Sequence, residues 1–322
     1  MSATSLSASD ILQLGDPVAH RGVVVAPLFP LSTPRAVYIT LDQAIPQGLR
    51  VVEVDEGGSV GELVVENPTG SAVLLYDGEE LLGAKQNRVL NVTVLVPAER
   101  TIRIPVSCVE QGRWSHESRD FHGAPATAYP ELRRRKAEAL AAEPMRRGSA
   151  QGEVWADIAD KAGRLGHHSP TGAHADMQRD LAPRMDDLAR AFPAQPGQCG
   201  VVLALDGRVV CLDAVSRPDA FAQLYSKLLR GYMLDAIEAL DRPAAAREVI
   251  ARFLAALDPA GAKRSPSAGL GEDLRMEGTG VIGSGLELDG ELIQVSAYGR
   301  DSAEHGGRLA RIARPACRRP AA

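Results

Sequence analysis

Aromatic residues are scarce in this chain, and its cysteines form no recognisable metal-binding or disulfide pattern. Phe, Trp and Tyr make up 4% of the 322 residues, so aliphatic side chains fill most apolar positions. The four cysteines (Cys108, Cys199, Cys211 and Cys317) are far apart and include no CxxC pair. This spacing favours reduced thiols over a disulfide frame or a zinc site. The cysteine usage therefore predicts a cytoplasmic protein.

Long apolar runs, a signal sequence and a strong net charge are absent too. No apolar run reaches the roughly 18 residues of a membrane span, and the start, MSATSLSASD, lacks the features of a signal peptide. We therefore predict no membrane partner. The net charge of −5 gives no reason to expect specific nucleic-acid binding. Residues 305–322 are basic, with five arginines and no acidic residue, which permits weak, salt-sensitive adhesion to polyanions.

The sequence also lacks the short motifs of common catalytic sites. It contains no GxSxG, Walker A or GxGxxG element. The histidines match no usual metal-ligand spacing, so no metal site is predicted. The cofactor and the oligomeric state stay unknown at this level.

The patterns that are present predict an α+β fold of mainly antiparallel sheets built from hairpins, with helices packed on one face. Residues 21–115 form a strand-rich half, and residues 116–300 combine helices with hairpins. Asp206-Gly207 and Asp289-Gly290 are typical of tight hairpin turns. Helices are predicted over 131–142, 151–165, 173–192 and 245–257, with another after Ser216. We expect residues 1–20 to be a weakly ordered leader and residues 301–322 a disordered, Arg-rich tail.

One predicted hairpin brings two polar segments together. The runs GEELLGAKQNR (78–88) and CVEQGRW (108–114) flank VLNVTVLVPAERTIRIPVS (89–107), which predicts strand, turn and strand. Keeping the apolar residues on one face sets Val94 opposite Ile104. This register places Arg88 directly opposite Glu110, with Cβ atoms about 5 Å apart. We therefore predict a contact between the Arg88 guanidinium and the Glu110 carboxylate.

These segments supply the candidate site residues, for which two interpretations remain open. The candidate acid or base groups are Glu79, Glu80 and Glu110. The candidate ligand-binding residues are Lys85, Gln86, Asn87, Arg88, Arg113, Trp114, Glu272, Asp273 and Arg275. Arg113 suits an anionic group and Trp114 a stacked ring, although a tryptophan is often a core anchor. Ion pairs at a sheet end can equally be structural.

Five stretches in this order resemble one bacterial family, the ADP-ribosylglycohydrolase and rhodanese-phosphatase-superfamily-associated domain. They are GEELLGAKQNR, PVSCVEQGRW, SPTGAHADM (169–177), the block around LDGRVV (205–210) and GLGEDLR (269–275). The resemblance covers roughly residues 20–300. It implies an association with enzymes that handle NAD and ADP-ribose, and it implies no particular reaction.

The leading hypothesis is therefore a protein that binds or processes an anionic, nucleotide-like ligand in NAD- or ADP-ribose-linked metabolism. Under this hypothesis Lys85, Arg88 and Arg113 bind phosphate, and Trp114 stacks on a ring. The alternative is a non-enzymatic module that senses a ligand or binds a protein, in which the charged motifs are structural. Whether the chain is an enzyme is left open by the sequence.

Overall fold

The computed structural model describes residues 8–142, 151–259 and 261–300. Strands dominate the first half of the chain, as predicted. The strands are β1 (Leu12–Leu14), β2 (Val18–His20), β3 (Val23–Pro30), β4 (Tyr38–Thr40), β5 (Arg50–Glu53), β6 (Glu62–Asn67), β7 (Ala72–Leu75), β8 (Glu79–Gly83), β9 (Arg88–Leu90), β10 (Val94–Val96), β11 (Arg100–Cys108), β12 (Phe121–Thr127), β13 (Gly200–Leu205), β14 (Arg208–Val215), β15 (Lys263–Pro266), β16 (Glu272–Gly278), β17 (Val281–Leu288) and β18 (Glu291–Gly299).

The longer helices lie between residues 130 and 256, with bounds close to those predicted, and two short helices lie nearer the start of the chain. The helices are α1 (Ala8–Ile11), α2 (Leu41–Ala44), α3 (Pro130–Ala142), α4 (Gln151–Leu165), α5 (His174–Ala189), α6 (Pro218–Ala236) and α7 (Arg247–Ala256). Short 3-10 turns follow α2 at Ile45–Gln47 and α6 at Ile237–Ala239. No helix in the described ranges is long and apolar enough to cross a membrane.

The strands form three sheets, which confirms the α+β class with mainly antiparallel pairing. The largest has the order β1-β3-β13-β14-β18-β17-β16-β15, and β2 also pairs with β3. A closed barrel has the order β11-β6-β5-β12-β8-β9, and a small sheet has the order β10-β7-β4. Within the part of the chain that the structure describes, β4 and β7 form the one parallel pair.

Both faces of the large sheet are covered. Residues 23–28 of β3 are all buried, because alternate side chains enter two different apolar cores. Helix α6 packs on one face, in the predicted layer. Helix α7 adds a second layer by packing Ile250 and Leu254 against the other face. The prediction that helices pack on one face of the sheet therefore describes only the layer that contains α6.

The predicted Asp-Gly hairpins are present. Strands β13 and β14 pair around Asp206-Gly207, and β17 and β18 pair around Asp289-Gly290. All four turn residues have positive φ, between 49° and 73°, as a tight two-residue turn of this kind requires. The predicted leader also acquires structure from residue 8 onwards, since β1 and β2 both pair with β3. The Arg-rich tail, residues 301–322, lies outside the described residues.

The predicted hairpin over 89–107 is wrong. Strand β10 leaves the barrel and pairs with β7, setting Val94 opposite Leu75. The remaining strands, β9 and β11, pair in a register that sets Arg88 opposite Cys108. The apolar alternation continues through β10 because that strand is buried in a neighbouring sheet. A common alternation therefore does not identify the pairing partner.

Candidate functional site at the mouth of the small barrel

Strand register directs Arg88 and Cys108 into one end of the barrel. Arg88 lies opposite Leu81 on β8 and opposite Cys108 on β11. Directly opposed residues share a face of the sheet, as do residues two apart on one strand. Leu81 and Leu90 belong to the apolar core of the barrel. The Arg88 guanidinium is consequently directed inward and is fully buried.

The carboxylate nearest to Arg88 comes from Glu53, which the sequence analysis did not select. Glu53 ends β5 two residues after the core residue Val51, so it shares the inward face. Its Oε1 lies 3.8 Å from the Arg88 terminal nitrogen, and its side chain is 6% exposed. A glutamate at an inward position of the apolar strand LRVVEV was the available signal.

Electrostatics at this end of the barrel hold the Cys108 thiol protonated. Burial raises the pKa of Cys108 to about 11, and the Arg88 charge offsets only part of this effect. Burial also lowers the pKa of Arg88, against the opposing effects of Cys108 and Glu53. Because the thiolate is the nucleophile, a thiol with this pKa is a poor candidate for covalent catalysis at neutral pH.

The loop of residues 54–61, between β5 and β6, closes the mouth. Its backbone carbonyls accept hydrogen bonds from Lys85 Nζ at Glu56, from Arg88 at Ser59 (3.4 Å) and from Cys108 Sγ at Val60 (3.6 Å). These contacts are made by carbonyl oxygens of one loop. Two of the donors, Lys85 and Arg88, are cations that an anionic ligand would also use.

Trp114 lies beside this closure. It is one of two tryptophans in the chain. It is 48% exposed, which is unusual for a large aromatic residue. Lys85 Nζ lies 5.7 Å from the centre of the ring, and Arg88 Cζ lies 5.6 Å from it. The indole can therefore offer a stacking surface next to two cations.

The predicted Arg88–Glu110 ion pair is wrong, because the register differs from the predicted one by two residues. Glu110 instead pairs with Arg113 at 2.7 Å and accepts hydrogen bonds from Thr171 (3.0 Å) and from the Asn87 backbone N–H (3.2 Å). The two polar segments still meet as predicted. The cation that Glu110 compensates is Arg113, three residues along the same segment.

Arg113 clamps the two segments together. Its guanidinium donates to Asn87 Oδ1 at 3.0 Å and to the carbonyls of Ala84 (2.8 Å) and Ser115 (3.0 Å). Gln86 reinforces the junction by donating from its side-chain amide to the Glu110 carbonyl. Arg113 is 9% exposed and its donors are engaged within the protein, so its role here is to position the loop that carries Trp114.

A third segment, SPTGAHADM, joins the same junction. Thr171 binds Glu110, and the Gly112 N–H donates to the Thr171 carbonyl at 2.7 Å. His174 Nδ1 lies 2.7 Å from Glu80 Oε2, and both side chains are fully buried. His174 was not among the predicted site residues. Its place in a quoted motif was the only signal.

Glu79 and Glu80 alternate along β8 and face different surroundings. Glu79 pairs with Lys227 at 3.2 Å and accepts the Tyr76 backbone N–H at 2.8 Å. Burial raises its pKa, while Lys227 acts in the opposite direction. Glu80 contacts His174 of α5 on the outer side of the barrel. The Glu79–Lys227 and Glu80–His174 pairs therefore do not include the residues at the mouth.

The third predicted segment lies on a different sheet. Glu272, Asp273 and Arg275 belong to β16 of the large sheet, where Asp273 and Arg275 approach to 3.9 Å. The barrel segments 85–88 and 110–114 are brought together, whereas residues 272–275 belong to the large sheet and not to the barrel.

Within the described ranges, one group of carboxylates has the spacing of a cation site. Ligand atoms of Glu131, Asp235 and Glu238 lie within 4.8 Å of one another. The Lys161 ammonium lies among them, 2.6 Å from Asp235, and Arg164 also pairs with Glu238 at 2.7 Å. Side-chain cations of the protein thus already compensate these charges.

Comparison with known proteins places the chain in a family. Residues 11–298 match the ARG and Rhodanese-Phosphatase-superfamily-associated Protein domain. The chain belongs to this family. No match was found among curated proteins or among solved structures. The family match spans the barrel, the large sheet and the helices between them, so the converging motifs lie within it.

Proposed function

We propose that this protein binds an anionic, nucleotide-like ligand at the mouth of the barrel, with ADP-ribose as the first ligand to test. The observation that carries the proposal is a fully buried guanidinium, Arg88, whose nearest carboxylate is 3.8 Å away, beside the half-exposed ring of Trp114. A buried charge is stabilised best by close, hydrogen-bonded partners. Arg88 Nη1 donates to the Gln86 carbonyl at 2.9 Å and to Gln86 Oε1 at 3.0 Å, both of them uncharged acceptors, and a phosphate oxygen would supply a charged one.

Each residue of the mouth has a role in this proposal. Lys85 and Arg88 bind phosphate oxygens, which replace the carbonyls of the 54–61 loop as acceptors. Trp114 stacks on a base or sugar. Arg113 and Glu110 hold the Trp114 segment in place. The name of the family, which associates it with ARG proteins, supports a ligand of this class.

The test is isothermal titration of the full chain with ADP-ribose, ADP and inorganic pyrophosphate. Lys85→Ala should weaken binding of ADP-ribose about tenfold, because one charged hydrogen bond to phosphate is lost. Lys263→Ala is the control, because Lys263 is exposed on β15 of the other sheet. Absence of binding to the folded wild-type chain, or equal affinities of the two variants, would refute the proposal.

The internal bonding of Glu110 and Arg113 favours a second candidate function. Their polar atoms are engaged within the protein, which suits a ligand-sensing or protein-interaction module with structural charged motifs. Arg113→Ala lowers the melting temperature under both candidates, but under the second none of the three ligands raises it in the wild type. Thermal shift measurements of the wild-type chain with each ligand separate the two candidates.

A further inference from the structure

Two buried polar atoms at the barrel mouth have no hydrogen-bond partner among the described residues. They are Glu53 Oε2 and Arg88 Nε, an acceptor and a donor on side chains that approach to 3.8 Å. Buried polar groups are nearly always paired, and leaving one unpaired is costly. Both oxygens of Glu79 and of Glu110 accept hydrogen bonds, whereas Glu80 Oε1 also lacks a partner but lies on the outer side of the barrel.

We propose that Glu53 is a specificity-determining residue that accepts a hydrogen bond from a sugar hydroxyl of the ligand. The inference rests on the proposed function and names the part of the ligand that enters the barrel. A hydroxyl has one donor and two acceptor lone pairs, so it can satisfy Glu53 Oε2 and Arg88 Nε together. A phosphate oxygen satisfies only Arg88, because it is repelled by the carboxylate.

The surroundings of Glu53 fit a sugar that is flanked by a ring and by phosphate. A Cβ built at Gly58 would lie 3.4 Å from Glu53 Oε2 and 3.3 Å from Trp114 Cζ2, so carboxylate and indole border the same loop position. Lys85 lies beside them, 5.7 Å from the indole centre. In a nucleotide the ribose likewise lies between the base and the phosphates. Entry requires the 54–61 loop to move outward.

The experiment compares ADP with 2′,3′-dideoxy-ADP, which has the same base and phosphates without the ribose hydroxyls. The wild-type chain should bind ADP at least tenfold more tightly, as expected for a hydrogen bond to a charged acceptor. In Glu53→Ala the ratio of the two dissociation constants should fall to about one. In Glu53→Gln, which keeps the volume and one acceptor oxygen, the ratio should fall to an intermediate value.

The control is Glu62→Ala, because Glu62 is half-exposed and pairs with Arg103 on the barrel exterior. It should keep the wild-type ratio. If Glu53→Ala does not fold, Glu53→Gln decides, and an unchanged ratio overturns the inference. If the wild type binds both nucleotides equally, only water lies between Glu53 Oε2 and Arg88 Nε. That result overturns the inference and leaves nucleotide binding intact. Absence of any binding overturns the proposed function, and this inference with it.

Discussion

Asp213 should be among the most sensitive positions in the protein, because it organises a buried polar cluster between the barrel and the large sheet. Its carboxylate is fully buried and accepts hydrogen bonds from Tyr76 (2.7 Å), Tyr232 (2.5 Å) and Ser296 (2.6 Å). Arg133 adds two parallel bonds at 2.8 and 2.7 Å. Both Tyr76 and Arg133 lose their main partner if this carboxylate is removed.

A second carboxylate, Asp77, completes the cluster on the barrel side. It lies 3.5 Å from Arg133 and 3.0 Å from Lys136, and it accepts the Tyr298 hydroxyl at 3.3 Å. Burial alone would lower the pKa of Arg133, but the negative charges of Asp213 and Asp77 contribute to raising it well above its usual value. The guanidinium therefore stays charged in the folded protein.

Asp213→Leu should lower the free energy of unfolding by about 3–5 kcal/mol, the usual cost of leaving one member of a buried ion pair alone. That is a large part of the roughly 5–15 kcal/mol that stabilises a folded domain. Urea unfolding followed by circular dichroism measures the change. Asp213→Asn, which keeps the shape and loses the charge, gives a second reading if the leucine variant does not fold.

The double variant Arg133→Leu/Asp213→Leu supplies the decisive comparison. Because the two charges compensate each other, it should lose at least about 1 kcal/mol less stability than the two single variants lose in sum. A change below about 1 kcal/mol for Asp213→Leu, or strict additivity in the double variant, would refute the assignment of this cluster as the organising core.

Two further predictions concern the barrel mouth. The pKa of Cys108 is raised from 9.0 to about 11, so the contribution of the thiol to stability is complete below pH 9 and is lost as the pH rises towards 11. Between these pH values, the unfolding free energy of Cys108→Ala should fall by about 2–3 kcal/mol less than that of the wild type. Equal losses in the two proteins would contradict the raised pKa. Gly58→Val should displace the 54–61 loop and increase iodide quenching of Trp114 in a Trp155→Phe background, because Gly58 has a φ of 77° and abuts the indole. The control is Gly197→Val, which has the same φ but faces open space and should leave the quenching unchanged. If Gly58→Val also leaves it unchanged, the loop does not pack on Trp114.

Local patterns in the sequence predicted most of the helices and both Asp-Gly hairpins. Helix α4 has the predicted bounds of residues 151–165, and the turns at 206–207 and 289–290 have the expected backbone. These features depend on interactions between residues close in sequence. The burial of Asp77 depends instead on residues far away in the sequence. In the structure Asp77 is 4% exposed, because α3 supplies two cations from a distant part of the chain.

The meeting of the two polar segments was predicted from the sequence, whereas the pairing of their residues was not. The segments 85–88 and 110–114 do meet, but register alone decides that Arg88 faces Cys108 and Glu53. Glu53 lay outside every polar run, so a search for charge-rich motifs passed over it. A charged residue at an inward position of an apolar strand is the more informative signal, and it also describes Asp213 in the strand VVCLDAV.

The polar residues at the start of β8 are held by more and stronger interactions than the loop at the barrel mouth. At the start of β8, Tyr76 and Asp77 are fixed by buried ion pairs and hydroxyls that connect the barrel to α3 and to the large sheet. At the mouth, the part of the 54–61 loop over Arg88 is held by carbonyl contacts of 3.4 Å or more and by a lysine hydrogen bond, whereas the end of the loop is fixed to β11 by a 2.9 Å bond from the Val106 N–H to the Gly61 carbonyl. Moving the loop outward breaks few bonds, and it leaves Arg88 and Glu53 on a scaffold that the Asp213 cluster keeps rigid. A ligand that replaces those carbonyls with phosphate and hydroxyl oxygens would therefore bind without disturbing the core.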